Sequence, residues 1–288
     1  MLGGIGLLIV FACVFGIYIA SGGKIEIILH ALPHELGMIG GAAAGAYLIA
    51  NKGVVAKKVG KEMIRAFKGP SWKKDDYKQL LLLLFTLCKL MKSKGMIAVE
   101  QHIEKPAESK IFSQYPRILA DHFATDLICD TLRMLTMGVE NSHQIEDLID
   151  KQLEKHHHEA LGPGHSLQAV ADGLPAIGIV AAVLGVIKTM ASITEPPEIL
   201  GKMIGGALVG TFLGVFLAYC LVGPIASKNI ASHEQDHQFF FIIRDILVAH
   251  LKGVAPQVSM EMGRTQIPSY YQPTFAEMEE ASGAVKIE

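Results

Sequence analysis

With 288 residues, half of them hydrophobic, the chain has room for one large domain or two small ones, and a net charge of only −2 leaves no global field to draw it to nucleic acid. A mean hydropathy of +0.35, with the charges crowded into the middle of the chain, points to a bilayer as part of its solvent. The four cysteines (Cys13, Cys88, Cys129, Cys220) form no CxxC pair and no disulfide framework, and the two inside apolar runs read as small packing residues.

Residues 1–20 carry no charged side chain, and about 20 apolar residues suffice to cross the hydrocarbon layer as a first transmembrane helix. The run has no basic n-region and exceeds a signal peptide's apolar core, so a retained span is expected. Pro33 opens the second transmembrane helix, residues 33–51. Its apolar part is short and needs residues 33–35 at one interface or a thin bilayer. Gly37, Gly41 and Gly45 form a small-xxx-small ridge along it, a surface on which another helix backbone can approach closely.

Residues 52–168 differ in character and read as an interfacial helix followed by a helical cytoplasmic domain. Val54, Val55, Val59, Met63, Ile64 and Phe67 share one helix face, with Lys57, Lys58, Lys61 and Arg65 around the rest. That pattern suits a helix lying in a membrane interface, the alternative being a soluble helix packed on its own domain. Gly69–Pro70 stops it. The apolar run at 78–91 is too short and too basic at its flanks to span. Pro106 and Pro116 divide the next stretch into short helices, and 126–137 and 144–158 read as amphipathic helices. No alternating strand pattern occurs.

The third transmembrane helix, residues 167–190, is apolar on every face from Leu174 to Ile187 and is expected to kink at Pro175, with Asp172 at its edge. The fourth, residues 203–224, repeats the glycine ridge at Gly206, Gly210 and Gly214 and closes at Gly223–Pro224. Residues 225–288 read as a cytoplasmic C-terminal helix over 226–251 and a proline-punctuated tail. Residues 52–168 hold 18 of the 26 lysines and arginines and residues 225–288 hold 5, so the positive-inside rule puts both segments and both termini in the cytoplasm. The fold class expected is therefore all-α, an integral membrane protein with four transmembrane helices and a helical cytoplasmic domain.

Chemistry is marked first by an absence. Asp172 and Glu35 read as edge residues, which leaves no carboxylate near the bilayer centre and no proton relay within this chain alone. The spans offer a proline kink, small residues and a hydroxyl, Thr211, read as buried, so ion passage would need a carboxylate from a partner helix. His156, His157 and His158 point about 100° apart on a helix and cannot converge on one metal, so they read as a solvated helix end. No GxxxxGK[ST], HExxH or GxSxG motif occurs, and neither an enzyme nor an organic or metal cofactor is expected. Lys92, Lys94, Glu100, Glu104 and Lys105 place both signs of charge beside the Gly95 break, a solvated surface or one that steers a docking partner.

Several blocks in order carry a resemblance: Lys92–Ser93–Lys94–Gly95–Met96 through Glu100, Tyr115–Pro116–Arg117–Ile118–Leu119–Ala120–Asp121, Asp172–Gly173–Leu174–Pro175–Ala176 through Ala182, Val209–Gly210–Thr211–Phe212–Leu213–Gly214, Gly263–Arg264 and Pro273–Thr274–Phe275. The chain thereby resembles the MotA family of flagellar motor stator subunits, within the MotA/TolQ/ExbB proton-channel superfamily. The resemblance implies a homopentamer in the bacterial inner membrane, arranged around a MotB dimer that supplies the ion-binding aspartate, and a cytoplasmic domain that pushes the rotor protein FliG. It implies coupling roles for Pro175 and Pro224 and a pore-side place for Thr211. Lys92 and Glu100 become rotor-facing charges, with lysine where the family commonly has arginine, a point charge in place of a fork. Sodium-driven relatives place a threonine at Ala182; a methyl group cannot ligate sodium, so the coupling ion implied is the proton. The alternatives are an ExbB- or TolQ-like energy-transducing ring and a membrane scaffold that conducts no ion.

Overall fold

Every regular element among the described residues is a helix, and the computed structural model describes residues 2–138 and 141–285. Helix α1 (Leu2–Phe11) passes through a π-helical turn at Ala12–Gly16 into α2 (Ile17–Ala20). Then follow α3 (Ile25–Ala50), α4 (Gly53–Lys68), α5 (Lys74–Lys94) and α6 (Met96–Glu104). Two single 3₁₀ turns at Pro106–Glu108 and Phe112–Gln114 precede α7 (Pro116–Leu119) and α8 (His122–Thr136). The 50-residue α9 (Ser142–Ala191) and α10 (Pro197–Phe216) follow, the latter continued by a π-helical segment at Leu217–Val222. The chain ends with α11 (Gly223–Leu251), α12 (Pro256–Gln266) and α13 (Phe275–Gly283).

Two compact units divide this chain. The first comprises Met1–Gly69 and Ala160–Ser232, the second Pro70–Glu159 and His233–Glu288.

The first unit is the membrane unit. Helices at Gly3–Ala20, Ser142–Ala191 and Pro197–Leu251 contain windows of mean hydropathy 2.4, 2.2 and 2.1, long and apolar enough to cross a bilayer. Leu8, Ile17, Val180 and Leu208 remain 59 to 71% exposed, surface that suits lipid or neighbouring chains and not water. The first span packs on α10 through aromatic rings: Phe11 and Phe15 meet Phe216 edge-on at 5.6 and 5.4 Å, and Phe15 meets Phe212 at 6.0 Å. Phe15 lies within the π-helical turn of the first span, and a π-helical segment begins directly after Phe216 in the other.

Helix α3 departs from the expected second span. It begins at Ile25, eight residues before Pro33, which lies inside the helix and not at its start. The membrane setting allows this, because neighbouring helices can compensate the backbone bond a proline removes. At 26 residues α3 is about 39 Å long, yet Glu26, His30, His34 and Glu35 keep it less apolar than the other three. Its buried stripe is Glu35, Ile39 and Ala43, spaced by four. Helix α4 leaves Val54, Ile64 and Phe67 exposed while Ala66 is buried, and the Asn229 amide donates to the Glu62 carbonyl and carboxylate at 3.1 and 3.0 Å. One edge of α4 is thus packed on the chain and an apolar face remains open.

The second unit is built around α5, whose buried residues run through Leu80, Leu81, Leu83, Leu84, Leu87 and Cys88 on all sides. A helix apolar all round must be enclosed, and here α6, α8, α12 and the end of α11 enclose it. The Trp72 ring stacks on Phe239 at 3.9 Å. Asp76, 1% exposed, accepts from the Lys73 N–H at 2.9 Å and from Arg117 at 2.6 Å, so the arginine of the Tyr115–Asp121 block ties two helices together. Asp121 caps α8 through the Ala124 N–H at 2.9 Å. The proline-punctuated tail folds into α12 and α13. Gly263 there lies so close to Ile246 that a Cβ would sit 2.4 Å from its side chain, and Thr274 and Glu277 form a capping box.

Candidate functional site

The seam between the third and fourth spans is built from residues without side chains. A Cβ on Gly178 would lie 2.8 Å from the Gly210 carbonyl oxygen and 2.9 Å from the Gly214 Cα. One on Gly185 would lie 2.7 Å from the Ala207 Cβ. Backbones this close gain dispersion contact along their whole length, which is what drives helix association in lipid. Gly210 and Gly214 of the expected ridge are therefore in the seam, and Gly206 faces Ala31 of α3 at 3.8 Å. Gly178 and Gly185 are the partners sequence reading passed over. Their seven-residue spacing on a helix carries the signal.

The other ridge is different. Gly37, Gly41 and Gly45 are exposed, and a Cβ on any of them would meet nothing within 4 Å. Within this chain α3 packs through Glu35, Ile39 and Ala43 instead, so the ridge does not serve the chain's own packing.

Ala181 and Ala182 are buried at the middle of the seam, and the Ala182 methyl offers no oxygen to a cation. Thr211, beside Gly210, is half-buried and not fully buried as its sequence suggested, and its hydroxyl makes no hydrogen bond to a described residue. With α3 starting at Ile25, Glu35 stands about 15 Å along the helix, not at an edge. It is 6% exposed, and a Cβ on Gly210 would sit 2.6 Å from its Oε2, with the Ala182 nitrogen at 3.2 Å. A carboxyl group therefore lies at the level of Ala182, where none was expected.

Asp172 and Pro224 come together. With Gln168, Ala218, Tyr219 and Ser227 they line a pocket of about 260 Å³. The Gln168 amide donates to Asp172 Oδ1 at 2.8 Å, and Asp172 is exposed. Pro175 lies half-buried within α9, which continues unbroken past it. Ala182 is seven residues beyond Pro175 and ten beyond Asp172, about 10 and 15 Å along the helix, so these residues occupy two levels of one seam.

In the second unit, Gly95 at φ +81° turns the chain sharply between α5 and α6. That turn presents Lys92 and Glu100, both exposed and neither in an ion pair with a described residue. Glu104 is engaged by Arg133 at 2.7 Å, and Lys105 by Glu108 at 3.4 Å. The three histidines are not a helix end, because α9 continues through them, and only His158 is exposed, His156 and His157 being half-buried. His156 stacks on Phe123 at 3.6 Å and His157 on His237 at 4.0 Å. Burial, then the neighbouring His157 and His156, pushes the His237 imidazole down to about 4. Burial likewise pushes the Cys88 thiol up to about 12, as befits a packing residue.

Two regions of the chain match described families. Residues 4–95 match "Motility protein A N-terminal", and residues 119–238 match the "MotA/TolQ/ExbB proton channel family". The chain is 40% identical to Motility protein A of Salmonella typhimurium, covering 98% of this chain and 95% of that one. The chain belongs to the motility protein A family. It is also 36% identical to Chemotaxis protein LafT of Vibrio parahaemolyticus, covering 96% of each. Its fold is that of the solved C. jejuni MotAB and Bacillus subtilis flagellar MotAB stator complexes. The TM-scores are 0.73 and 0.71 at 18% and 22% identity, covering 92% and 96% of this chain and 94% and 98% of those.

Proposed function

We infer that this chain is the stator subunit of a bacterial flagellar motor, an ion-conducting membrane protein that converts ion passage into torque. The observation that carries the reading is the motility-specific N-terminal region, residues 4–95, joined to the proton-channel region, residues 119–238. An ExbB- or TolQ-like transducer would share the second and lack the first.

The working unit is a homopentamer around a MotB-like dimer in the inner membrane, with the second unit and both termini in the cytoplasm. The clustering of lysine and arginine in residues 52–168 supports this orientation. A partner aspartate receives the ion. The small-residue seam gives a rigid pair of spans, and the pocket of Asp172 and Pro224 couples that pair to the start of α11. Lys92 and Glu100, exposed at the α5–α6 turn, steer the contact with the rotor protein FliG by charge. The proton is the coupling ion: sodium stripped of water needs oxygen ligands, and Ala182 supplies none.

The test is swimming of a deletion strain expressing this chain with its MotB-like partner, with and without sodium. Swimming without sodium, abolished by a protonophore, is the expected result. Swimming only with sodium would overturn the ion assignment and keep the motor. A deletion strain that swims normally would refute the stator reading in favour of another transducer or a scaffold.

A further inference from the structure

The membrane unit holds a buried carboxyl group that the reading above does not use. Glu35 stands at the junction of α3, α9 and α10, 6% exposed, and its Oε2 makes no hydrogen bond to a described residue. It is not a helix cap, because the acidic residue of the first turn of α3 is Glu26. Nor is it in an ion pair with a described residue. The elements packed against it present Ala181, Ala182 and Gly210, none of which can carry charge. The nearest cations on those elements are Lys188, six residues from Ala182, and Lys202, eight from Gly210, about 9 and 12 Å along their helices. A buried carboxyl oxygen with no hydrogen-bond partner is costly to keep, and packing within the chain gives no reason for one here. Space for the group is provided by Gly210, since any side chain there would start 2.6 Å from Oε2.

A second observation concerns the approach to this group. Glu26, His30 and His34 are exposed and spaced by four along α3, so they form one titratable stripe, with neighbours about 5–6 Å apart. The stripe runs from the beginning of α3 and ends beside Glu35. Pro33 lies within the same stretch; lacking an N–H, it leaves the Leu29 carbonyl without its helical donor, a further acceptor on the way. An imidazole can both take up and give up a proton. This stripe is what makes α3 less apolar than the other spans, and packing within the chain gives no reason for it.

We propose that Glu35 is a proton-binding residue on the ion path, fed along the Glu26–His30–His34 stripe. Its carboxylate takes a proton from the His34 imidazolium, which is left neutral and is reprotonated along the stripe, or from a hydronium ion, which is left as water, and so becomes the neutral acid. It then gives that proton to a water or to the partner helix's carboxylate and returns to the anion. This deepens the proton-driven stator reading and rests on it.

The test uses the full chain with its partner in the deletion strain, reading fluorescent stator foci at motors and swimming speed between about pH 5 and 8. The expected result for Glu35→Gln is foci at wild-type number with severalfold slower swimming. Glu35→Asp should recover most of the speed with a shifted pH profile, and a His30→Gln/His34→Gln pair should lose speed mainly at the alkaline end. Wild-type speed and pH profile in Glu35→Gln would overturn the proposal. So would equal loss in Glu35→Gln and Glu35→Asp with an unchanged profile in the histidine pair, the signature of packing. If Glu35→Gln forms no foci, Glu35→Asp decides: a shifted profile supports the proposal and an unchanged one overturns it. Failure of the stator reading shows differently, as a deletion strain that swims normally. Proton uptake by liposomes holding the chain and its partner then decides, severalfold lower uptake for Glu35→Gln supporting the proposal and equal uptake overturning it.

Discussion

Replacing Gly178 by alanine should separate the two spans that form the seam. The new methyl would sit 2.8 Å from the Gly210 carbonyl oxygen and 2.9 Å from the Gly214 Cα. Comfortable separation is about 3.5–4.0 Å, so α9 and α10 must part by roughly 0.6–1.2 Å. The obstructing atoms are backbone and cannot rotate away. Overpacking of this kind costs about 1–3 kcal/mol, while alanine in a helix returns about 0.8–1 kcal/mol relative to glycine. Gly201→Ala isolates the first term, since Gly201 is also helical and its Cβ would meet nothing within 4 Å. The propensity gain is common to both variants and cancels, leaving a difference of about 1–3 kcal/mol, or very roughly 2–12 °C in Tm. Fluorescence-detected size exclusion of the detergent-solubilised complex after stepwise heating would measure it. Equal melting of the two variants would refute the close seam, and a lower Tm for Gly201→Ala would refute the spacing argument altogether.

Three other outcomes are expected. The second unit should lose stability as pH falls from about 6.5 towards 4: His237 must be neutral to stay buried, its folded value lies below its unfolded one, and stability present above the unfolded value is lost on acidification. The shift corresponds to at most roughly 3 kcal/mol, and His237→Phe should flatten the dependence in thermal melts across that range; an unchanged slope would contradict the buried stack with His157. Lys92→Glu and Glu100→Lys should each leave melting within about 0.5 kcal/mol of wild type, both side chains being exposed and in no ion pair with a described residue, while slowing swimming in a salt-sensitive way; variants that swim normally would remove this turn from the proposed rotor contact. Thr274→Ala removes the capping-box acceptor of α13, 3.2 Å from the Glu277 N–H, and should cost about 1 kcal/mol in thermal melts; no change would mean that α13 is held by packing alone.

Local pattern was enough to read much of this protein. Charge-free length marked the first, third and fourth spans, lysine and arginine crowding marked residues 52–168, of which 70–159 fold in the second unit, and the absence of alternation marked an all-α chain, because each depends on composition within one window. Proline and glycine were less informative. Pro33 looked like a helix start and Pro163 and Pro175 lie in the interior of α9, since a bundle can compensate for the backbone bond that a proline removes. The tail after Leu251 read only as proline-punctuated because its helices are short and gain stability only by packing on the second unit.

What the sequence determined alone was therefore the kind of chain: helical, membrane-embedded, with its charge on one segment and its small residues in ridges. Which ridge would be used was decided only in three dimensions, where Gly178 and Gly185 meet Ala207, Gly210 and Gly214 while Gly37, Gly41 and Gly45 face outward. The same holds for Glu35, which moved from an expected edge to the level of Ala182. A glycine or a carboxylate has the same sequence signature at a seam or on a surface. Its role follows from which backbone lies opposite, and that is set by helix starts and packing partners far away in the chain.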